Sequence, residues 1–589
     1  MYWNFSGFQR VLGHLLVVVV PLLLPQLLMR HFPKAALPVH YNHPINDLIE
    51  ESEHQYQDLL RTETTTYSAA YEAYVARRGQ RPPPGFREWF DLAKNKSVIV
   101  IEAFWDQIYE DLEPFWSISP KAIRQLSFAM AHAAGQVERV YGIWIRNQTV
   151  RTNCLDDDWS CSGLVDLIRG VGHLLPDLDV AYKGHLSPRV FPLWEEIRDL
   201  RSHARQVRHV IDQNKKMNIY GGIEYLDPTQ VQRVLSWIEW DEETPASLVV
   251  PRNCPPGTQA RTLKVETLDL DLSFSKTYTT KGFVSDFQSS KNVCLQPDLL
   301  HNHGIFTSPP ILMTTEALLP LFSQSPLSGV NPEITIPANI YYQDDPKYWS
   351  SNLTSAWSEK ETLAFWRGIN SGGKHTASNW KGFHRHRFVA SVNGTYIRRI
   401  DQGETPLWTM PKTGLSDVSS FLESHTDIGF SEFVCADSRW REETQSCSYL
   451  DSSYHTLPRI ELEGMLQYKY LPDVDGHGHS ARFRTFMLAN SLPIKATIFR
   501  EWHDARLVPW KHFVPMDNRF YDLWDILQYF MPEDEELKAE RDKLGEKIST
   551  AGAQWTSKVL RKEDMQLYIF RLLLEFARVK DDNRDTLAC

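Results

Sequence analysis

Residues 476–482 read Gly-His-Gly-His-Ser-Ala-Arg, and Glu501 stands twenty residues after Ala481. Paired glycines let backbone amides close on a phosphate, and a helix that starts directly behind them adds partial positive charge. Arg482 would bring a formal charge to the first turn. A carboxylate after the next strand, Glu501, can accept two ribose hydroxyls. That chemistry is nucleotide binding, with Gly476, Gly478, Ser480, Arg482 and Glu501 as donor-site candidates. The same letters also fit an ordinary strand-turn-helix, and Arg482 fits a solvated helix residue. A hydride-carrier unit opens its domain, whereas this stretch lies near the end of the chain, which favours a nucleotide-sugar site.

Other residues carry possible chemistry. Residues 363–368 read as a strand ending in Arg367-Gly368, followed by a polar loop with Gly372 and Gly373 and a basic helix, FHRHRFVA, at 383–390. Strand, glycine loop and basic helix make a second anion-binding element. Arg367 is the preferred phosphate ligand there, because a guanidinium grips two oxygens at once; Arg385 and Arg387 read as a surface basic patch. Asp177 and Asp179 stand where a strand over 176–182 would deliver carboxylates to a cleft, as a general base requires. Either could instead cap a turn. His301 and His303 lack a completing ligand and read as surface histidines, and no cysteine spacing suits zinc, so no metal site is expected.

The elements that must hold these residues follow from periodicity. Residues 468–474 predict a strand, 482–490 a helix with Phe483, Phe486 and Met487 on one face, and 492–499 a second strand. Helices are expected over 103–115, 120–144, 162–175, 194–210, 521–530, 538–560 and 564–578, and a strand-like segment over 509–515.

With 589 residues, 42% hydrophobic and 23% charged, the chain is globular and long enough for two or more cores. Its net charge of −11 argues against nucleic acid as a partner. Residues 11–29, VLGHLLVVVVPLLLPQLLM, are apolar and about long enough to cross a bilayer, which takes roughly 20 residues. They read as an uncleaved signal-anchor, with a cleaved signal peptide ending near Ala35-Ala36 as the other reading. Sequons at Asn95, Asn147, Asn352 and Asn393 fit a lumenal location. Of seven cysteines, the pairs Cys154–Cys161, Cys254–Cys294 and Cys435–Cys447 suit disulfides, leaving Cys589 over.

Taken together, RRGQRPPPGFREWF (77–90), LPDLDVAY with PRV (175–190), FWRGINSGG (365–373), FHRHRFV (383–389), YKYLPDVDGHGHSARFR (468–484), EWHDARLVPWKHFVP (501–515) and EDMQLYIFRLLLEFAR (563–578) resemble the capsule-associated-protein family of glycosyltransferases. That family includes fungal xylosyltransferases and animal protein O-glucosyltransferases, and the fungal branch is the nearer likeness. The resemblance implies an α/β fold of GT-B type, two Rossmann-like domains facing a cleft, with an N-terminal transmembrane helix and helical stem. It implies a UDP-sugar donor and no other cofactor, inversion at the anomeric carbon, and a single-pass type II protein of the Golgi or ER membrane. Arg367 and Arg482 would hold the diphosphate, with Gly368 beside them. Asp473-Val474-Asp475 spells a metal-binding DxD but is read as loop chemistry. The expected divisions are a cytosolic tail (1–10), anchor (11–29), stem and helical lead-in (30–90), acceptor-side domain (91–350), UDP-sugar domain (351–545) and C-terminal helices packing back (546–589).

One departure bears on activity. The family's loop before Pro-Arg-Val carries an Asp placed to act as base, and this chain has Leu186 there. Leucine cannot accept a proton, and losing a general base costs roughly a hundred- to ten-thousand-fold in rate. His185, whose ordinary titration range suits a base, and Asp179 are the candidate substitutes. The expected reaction is transfer of xylose, or second glucose, to a glycan, glycolipid or protein hydroxyl. The competing reading is a non-catalytic UDP-sugar-binding protein of the same family. An epimerase or dehydrogenase is disfavoured, for want of an early GxGxxG and a Tyr-x-x-x-Lys pair.

Overall fold

Parallel strands buried on both faces read as continuous apolar runs, and residues 468–474 form such a strand at the centre of a sheet. In the computed structural model of the chain, residues 43–133, 135, 137–155, 159–208, 219–263, 277–344, 347–349, 355–411, 413–435 and 447–587 are described. The chain divides at Glu50. Before it, the described part is the start of a helix, Pro44–Arg61; everything below concerns the unit from Glu51 onward.

Its first sheet comprises β1 (Val140–Arg146), β2 (Thr149–Thr152), β3 (Leu178–Lys183), β6 (Leu321–Ser323) and β7 (Ile334–Thr335), with a small hairpin, β4 (Thr279–Thr280) and β5 (Phe283–Val284), between β3 and β6 in sequence. The order is β2-β1-β3-β6-β7, antiparallel from β2 to β3 and parallel from β3 to β7. The second sheet comprises β8 (Glu361–Ile369), β9 (Thr426–Glu432), β10 (Tyr468–Val474), β11 (Leu492–Ala496) and β12 (Val514–Pro515). It is wholly parallel in the order β12-β11-β10-β8-β9. The mixed α/β architecture with parallel sheets agrees with the expected class. The two sheets meet where Leu327 pairs with Phe499 and Arg500 N–H donates to Pro326 O at 2.9 Å.

Several expectations change. The helix expected over 120–144 stops at His132, and residues 140–146 form β1 instead. Val140, Ile143 and Ile145 suit a pleated strand, and Asn147 and Gln148, both at positive φ (48° and 64°), turn it directly into β2. Only Val514–Pro515 of residues 509–515 is strand. The lead-in through residue 90 is part of the core: Tyr74, Phe86 and Trp89 are fully buried. They pack against the C-terminal helix Lys562–Val579, onto which Trp89 Nε1 donates at Leu567 O, 3.0 Å.

A buried charge network ties those ends of the chain together. Glu575 accepts from Tyr74 Oη at 2.9 Å and Tyr109 Oη at 2.7 Å, and pairs with Arg571 at 3.3 Å and Arg578 at 2.8 Å. Burial pushes the Glu575 carboxyl up, but Arg578 and Arg571 outweigh it and hold it below its ordinary value.

The three expected disulfides are formed, with Cα–Cα separations of 5.9, 5.4 and 5.8 Å. No helix among the described residues is long and apolar enough to cross a membrane; the expected anchor, residues 11–29, lies outside them.

Candidate functional site

In an open parallel sheet, ligands bind beyond the carboxyl ends of the strands where the order reverses. Here that switch point lies between β8 and β10. Arg385, on the helix His384–Ser391, closes it. Its Nε donates to Asp475 O at 2.7 Å, Nη1 to Ile369 O at 2.8 Å and Ser371 Oγ at 2.9 Å, and Nη2 to Val474 O at 3.3 Å. Arg482 Nη1 donates to Arg367 O at 2.6 Å. The two guanidinium carbons stand 5.4 Å each from the Trp366 ring. Neither arginine forms a salt bridge among the described residues. Burial and then the charge of Arg482 push Arg385 down to about 9. The arrangement concentrates positive charge: Asp473 acts on both guanidiniums and Asp475 on Arg385 through space, but neither closes a salt bridge with them among the described residues, and an anionic ligand would relieve the remaining excess.

The basic stretch at 383–390 is therefore no surface patch. Every residue from His384 to Ser391 is buried, and Arg387 Nη2 donates to Asn518 O at 2.9 Å. Carbonyls at the strand ends lack partners of their own, and a guanidinium's five donors satisfy several at once. Arg367 is also buried, but it is already engaged. Its Nη2 meets Asp427 Oδ1 at 2.5 Å and Nη1 meets Asp427 O at 2.8 Å, across to β9. A Cβ on Gly368 would lie 2.7 Å from the Trp366 ring, so glycine there lets that ring pack.

The glycine loop lies between two walls. A Cβ on Gly476 would come within 3.3 Å of Arg385 and Ser371; one on Gly478 would come within 2.9 Å of Leu186 and Ser325. Beneath the loop, Ser480 Oγ donates to Asp473, Lys495 Nζ pairs with Asp473 at 3.1 Å and with Glu501 at 3.1 Å, and His503 bonds Glu501 at 3.1 Å. Burial raises Glu501, but Lys495, His503 and His479 outweigh it and hold the carboxyl well below its ordinary range. Ser480 and Glu501 thus brace the loop from within.

Leu186 faces Gly478 beside a cavity of about 680 Å³ whose lining includes Glu138, His185, Glu242, Lys374 and His477. His185 reaches this cavity. Its Nδ1 accepts from Ser187 N–H at 3.0 Å, which leaves the ring proton on Nε2. Burial, Lys183 and His477 push it down to about 3. It can donate to a ligand oxygen but is a poor proton acceptor. Asp179 is not brought to the cavity. It is buried within the first sheet, with Arg146 at 2.7 Å and His132 at 3.1 Å. Burial raises its carboxyl, and His132, Lys580 and Arg146 reverse that and lower it.

Sequence reasoning missed two residues behind the loop. His303, expected at the surface, is 2% exposed and stacks on His384 at 3.8 Å with the rings 6° apart. Both adjoin Asp475, whose Oδ2 accepts from Ile498 N–H at 2.9 Å and whose carboxyl burial raises to about 7. A raised folded-state value means the native state holds a proton that the unfolded chain has released. This contribution is full below about pH 4, where a free carboxyl titrates, and is lost as pH rises through about 7. Wild type should therefore lose stability relative to Asp475→Asn across that window, by roughly 4 kcal/mol. Urea midpoints measured from pH 4 to 8 check this, and parallel curves would exclude it.

Of the sequons, Asn95 and Asn147 are exposed, the latter at the tip of the β1–β2 hairpin. Asn393 is half-buried and caps the helix Gly394–Asp401, accepting from Tyr396 N–H at 3.0 Å. Asn352 lies outside the described residues.

Residues 438–584 match Glycosyl transferase family 90. Protein O-glucosyltransferase 3 of Mus musculus is 30% identical over 112 residues, 19% of this chain and 21% of the relative. The O-glucosyltransferase rumi homolog of Aedes aegypti is 30% identical over 125 residues, 20% of this chain and 29% of the relative. Protein O-glucosyltransferase 1 of Rattus norvegicus is 29% identical over 122 residues, with the same shares. The chain thus spans less than a third of the length of these curated relatives. The family match takes in β10, the glycine loop, Arg482 and Glu501, but not Arg367, Arg385 or the loop of Leu186.

Proposed function

We propose that this chain is a UDP-sugar-dependent, inverting glycosyltransferase of GT-B type, with the donor at the β8–β10 switch point and the acceptor entering from the first sheet. The observation that carries the reading is the pair Arg385 and Arg482, crowded at the carboxyl ends of the strands beside the Trp366 ring, with neither guanidinium closed into a salt bridge among the described residues. A leaving diphosphate carries the charge that such a pair would bind, without a metal. The match of the glycine-loop region to Glycosyl transferase family 90 supports transfer of a sugar. The relatives' names place UDP-glucose beside UDP-xylose as donors to try, and a protein hydroxyl beside glycan and glycolipid as acceptors. Residues 11–29, the exposed sequons and the three disulfides support a membrane-anchored lumenal protein of the Golgi or ER.

Calorimetric titration of the chain with UDP, UDP-xylose and UDP-glucose tests the donor site. Saturable binding with a preference between the sugars is expected, and absence of binding by folded protein overturns the reading. One observation favours a second reading, a donor-binding protein without turnover: Leu186 packs on Gly478, so the place where a base is expected is apolar. UDP release on incubation with either sugar nucleotide separates the two.

A further inference from the structure

The loop that lacks a base lies beside the turn that leads into β1, and that turn carries a carboxylate. β1 and β3 pair antiparallel with Val140 opposite Lys183. Gly184 N–H donates to Arg139 O at 2.9 Å, which holds the turn at residues 137–139 against the chain just beyond β3. Arg139 has positive φ (51°) and Val140 N–H donates back to Val137 O at 3.2 Å, so Glu138 lies in the turn that leads into β1, and the bond from Gly184 brings that turn beside His185. Glu138 and His185 both line the cavity of about 680 Å³. Leu186, the next residue, is not part of that lining and packs on Gly478. Glu138 is exposed, and it makes no salt bridge among the described residues, unlike Asp179, which is held by Arg146 and His132. Across the cavity from Glu138 stand Gly373, Lys374 and His477, the tips of the two loops that frame the switch point.

We infer that Glu138 is the general base of the transfer, taking the place that Leu186 leaves empty. The inference rests on the glycosyltransferase reading above. The acceptor hydroxyl oxygen attacks the anomeric carbon of the donor sugar and forms the new glycosidic C–O bond. The bond from that carbon to the diphosphate oxygen breaks, and its electron pair leaves with UDP. The hydroxyl proton passes to the Glu138 carboxylate and then to solvent. His185 contributes its Nε2–H as a donor to the acceptor or sugar oxygen, a role its bonded Nδ1 permits.

The test uses the full chain with UDP-xylose and UDP-glucose, measuring calorimetric binding and, separately, UDP release to water. Glu138→Gln is expected to keep donor affinity within about twofold while UDP release falls about a hundred- to ten-thousand-fold. Formate or azide should restore part of the rate in Glu138→Ala, which a merely structural role would not allow. The acid limb of the pH–rate profile should disappear with the carboxylate. Release by Glu138→Gln within about threefold of wild type overturns the proposal, as does a loss that falls on Glu242→Gln instead. Donor binding without any UDP release by wild type overturns the base assignment and leaves the donor site standing. No donor binding by the folded chain removes the glycosyltransferase reading itself.

Discussion

Arg482→Ala is expected to weaken UDP binding by about 10- to 150-fold, while Arg367→Ala leaves it within a few-fold. The first figure is the worth of one charge-assisted hydrogen-bonded contact, about 1.5–3 kcal/mol. Arg482 makes a single bond to a backbone carbonyl, Arg367 O, and has donors to spare. Arg367 is committed to the carboxylate and the carbonyl of Asp427. Removing it should expose that carboxylate and cost stability more than affinity. Arg482→Lys should recover only part of the loss, since an ammonium keeps the charge without the planar fork. Titration of the three variants with UDP, beside their urea midpoints, checks the assignment. A large affinity loss in Arg367→Ala with Arg482→Ala unchanged would place the diphosphate on the other arginine.

Glu575→Ala should destabilise the fold by about 3–5 kcal/mol, because it leaves the buried guanidiniums of Arg571 and Arg578 without their shared carboxylate. Glu575→Gln keeps acceptors for Tyr74 and Tyr109 and should cost less. The effect should persist in high salt, since the network is shielded from solvent ions. Chemical denaturation followed by tryptophan fluorescence would show it, with Trp89 and Trp105 packed in the same core. A shift below about 1 kcal/mol for Glu575→Ala would mean the ends of the chain are held by apolar packing alone.

Local patterning was legible without the fold. The apolar and aromatic run of 468–474, the glycines of 476–478 and the three-and-four spacing of Phe483, Phe486 and Met487 specify strand, turn and helix, because each depends on residues within about one helical turn or a few strand positions. The short separations within Cys154–Cys161 and Cys435–Cys447 made those pairs readable for a similar reason. The glycine loop, Ser480, Arg482 and Glu501 were marked as candidates this way, and so was His185.

What each charged side chain does was decided by strand order. Arg367 meets Asp427, sixty residues on, only because β9 lies beside β8. Arg385 reaches Asp475 O, ninety residues away, only because β10 flanks β8 on the other side. A basic octapeptide looks solvated in isolation because charge is costly to bury; here remote carbonyls offset that cost. Asp179 sits on the strand its sequence predicts, but Arg146 and His132, delivered by neighbouring elements, remove it from the cavity. Glu138 carried no signal, since nothing within its own stretch marks it and only the pairing of β1 with β3 brings its turn to the cavity that His185 lines. The sequence by itself determined most of the local elements and marked the glycine loop as a candidate site. The tertiary structure decided which cation is free for an anion and which carboxylate faces the cleft, because those roles depend on partners that only the assembled sheets bring within hydrogen-bonding distance.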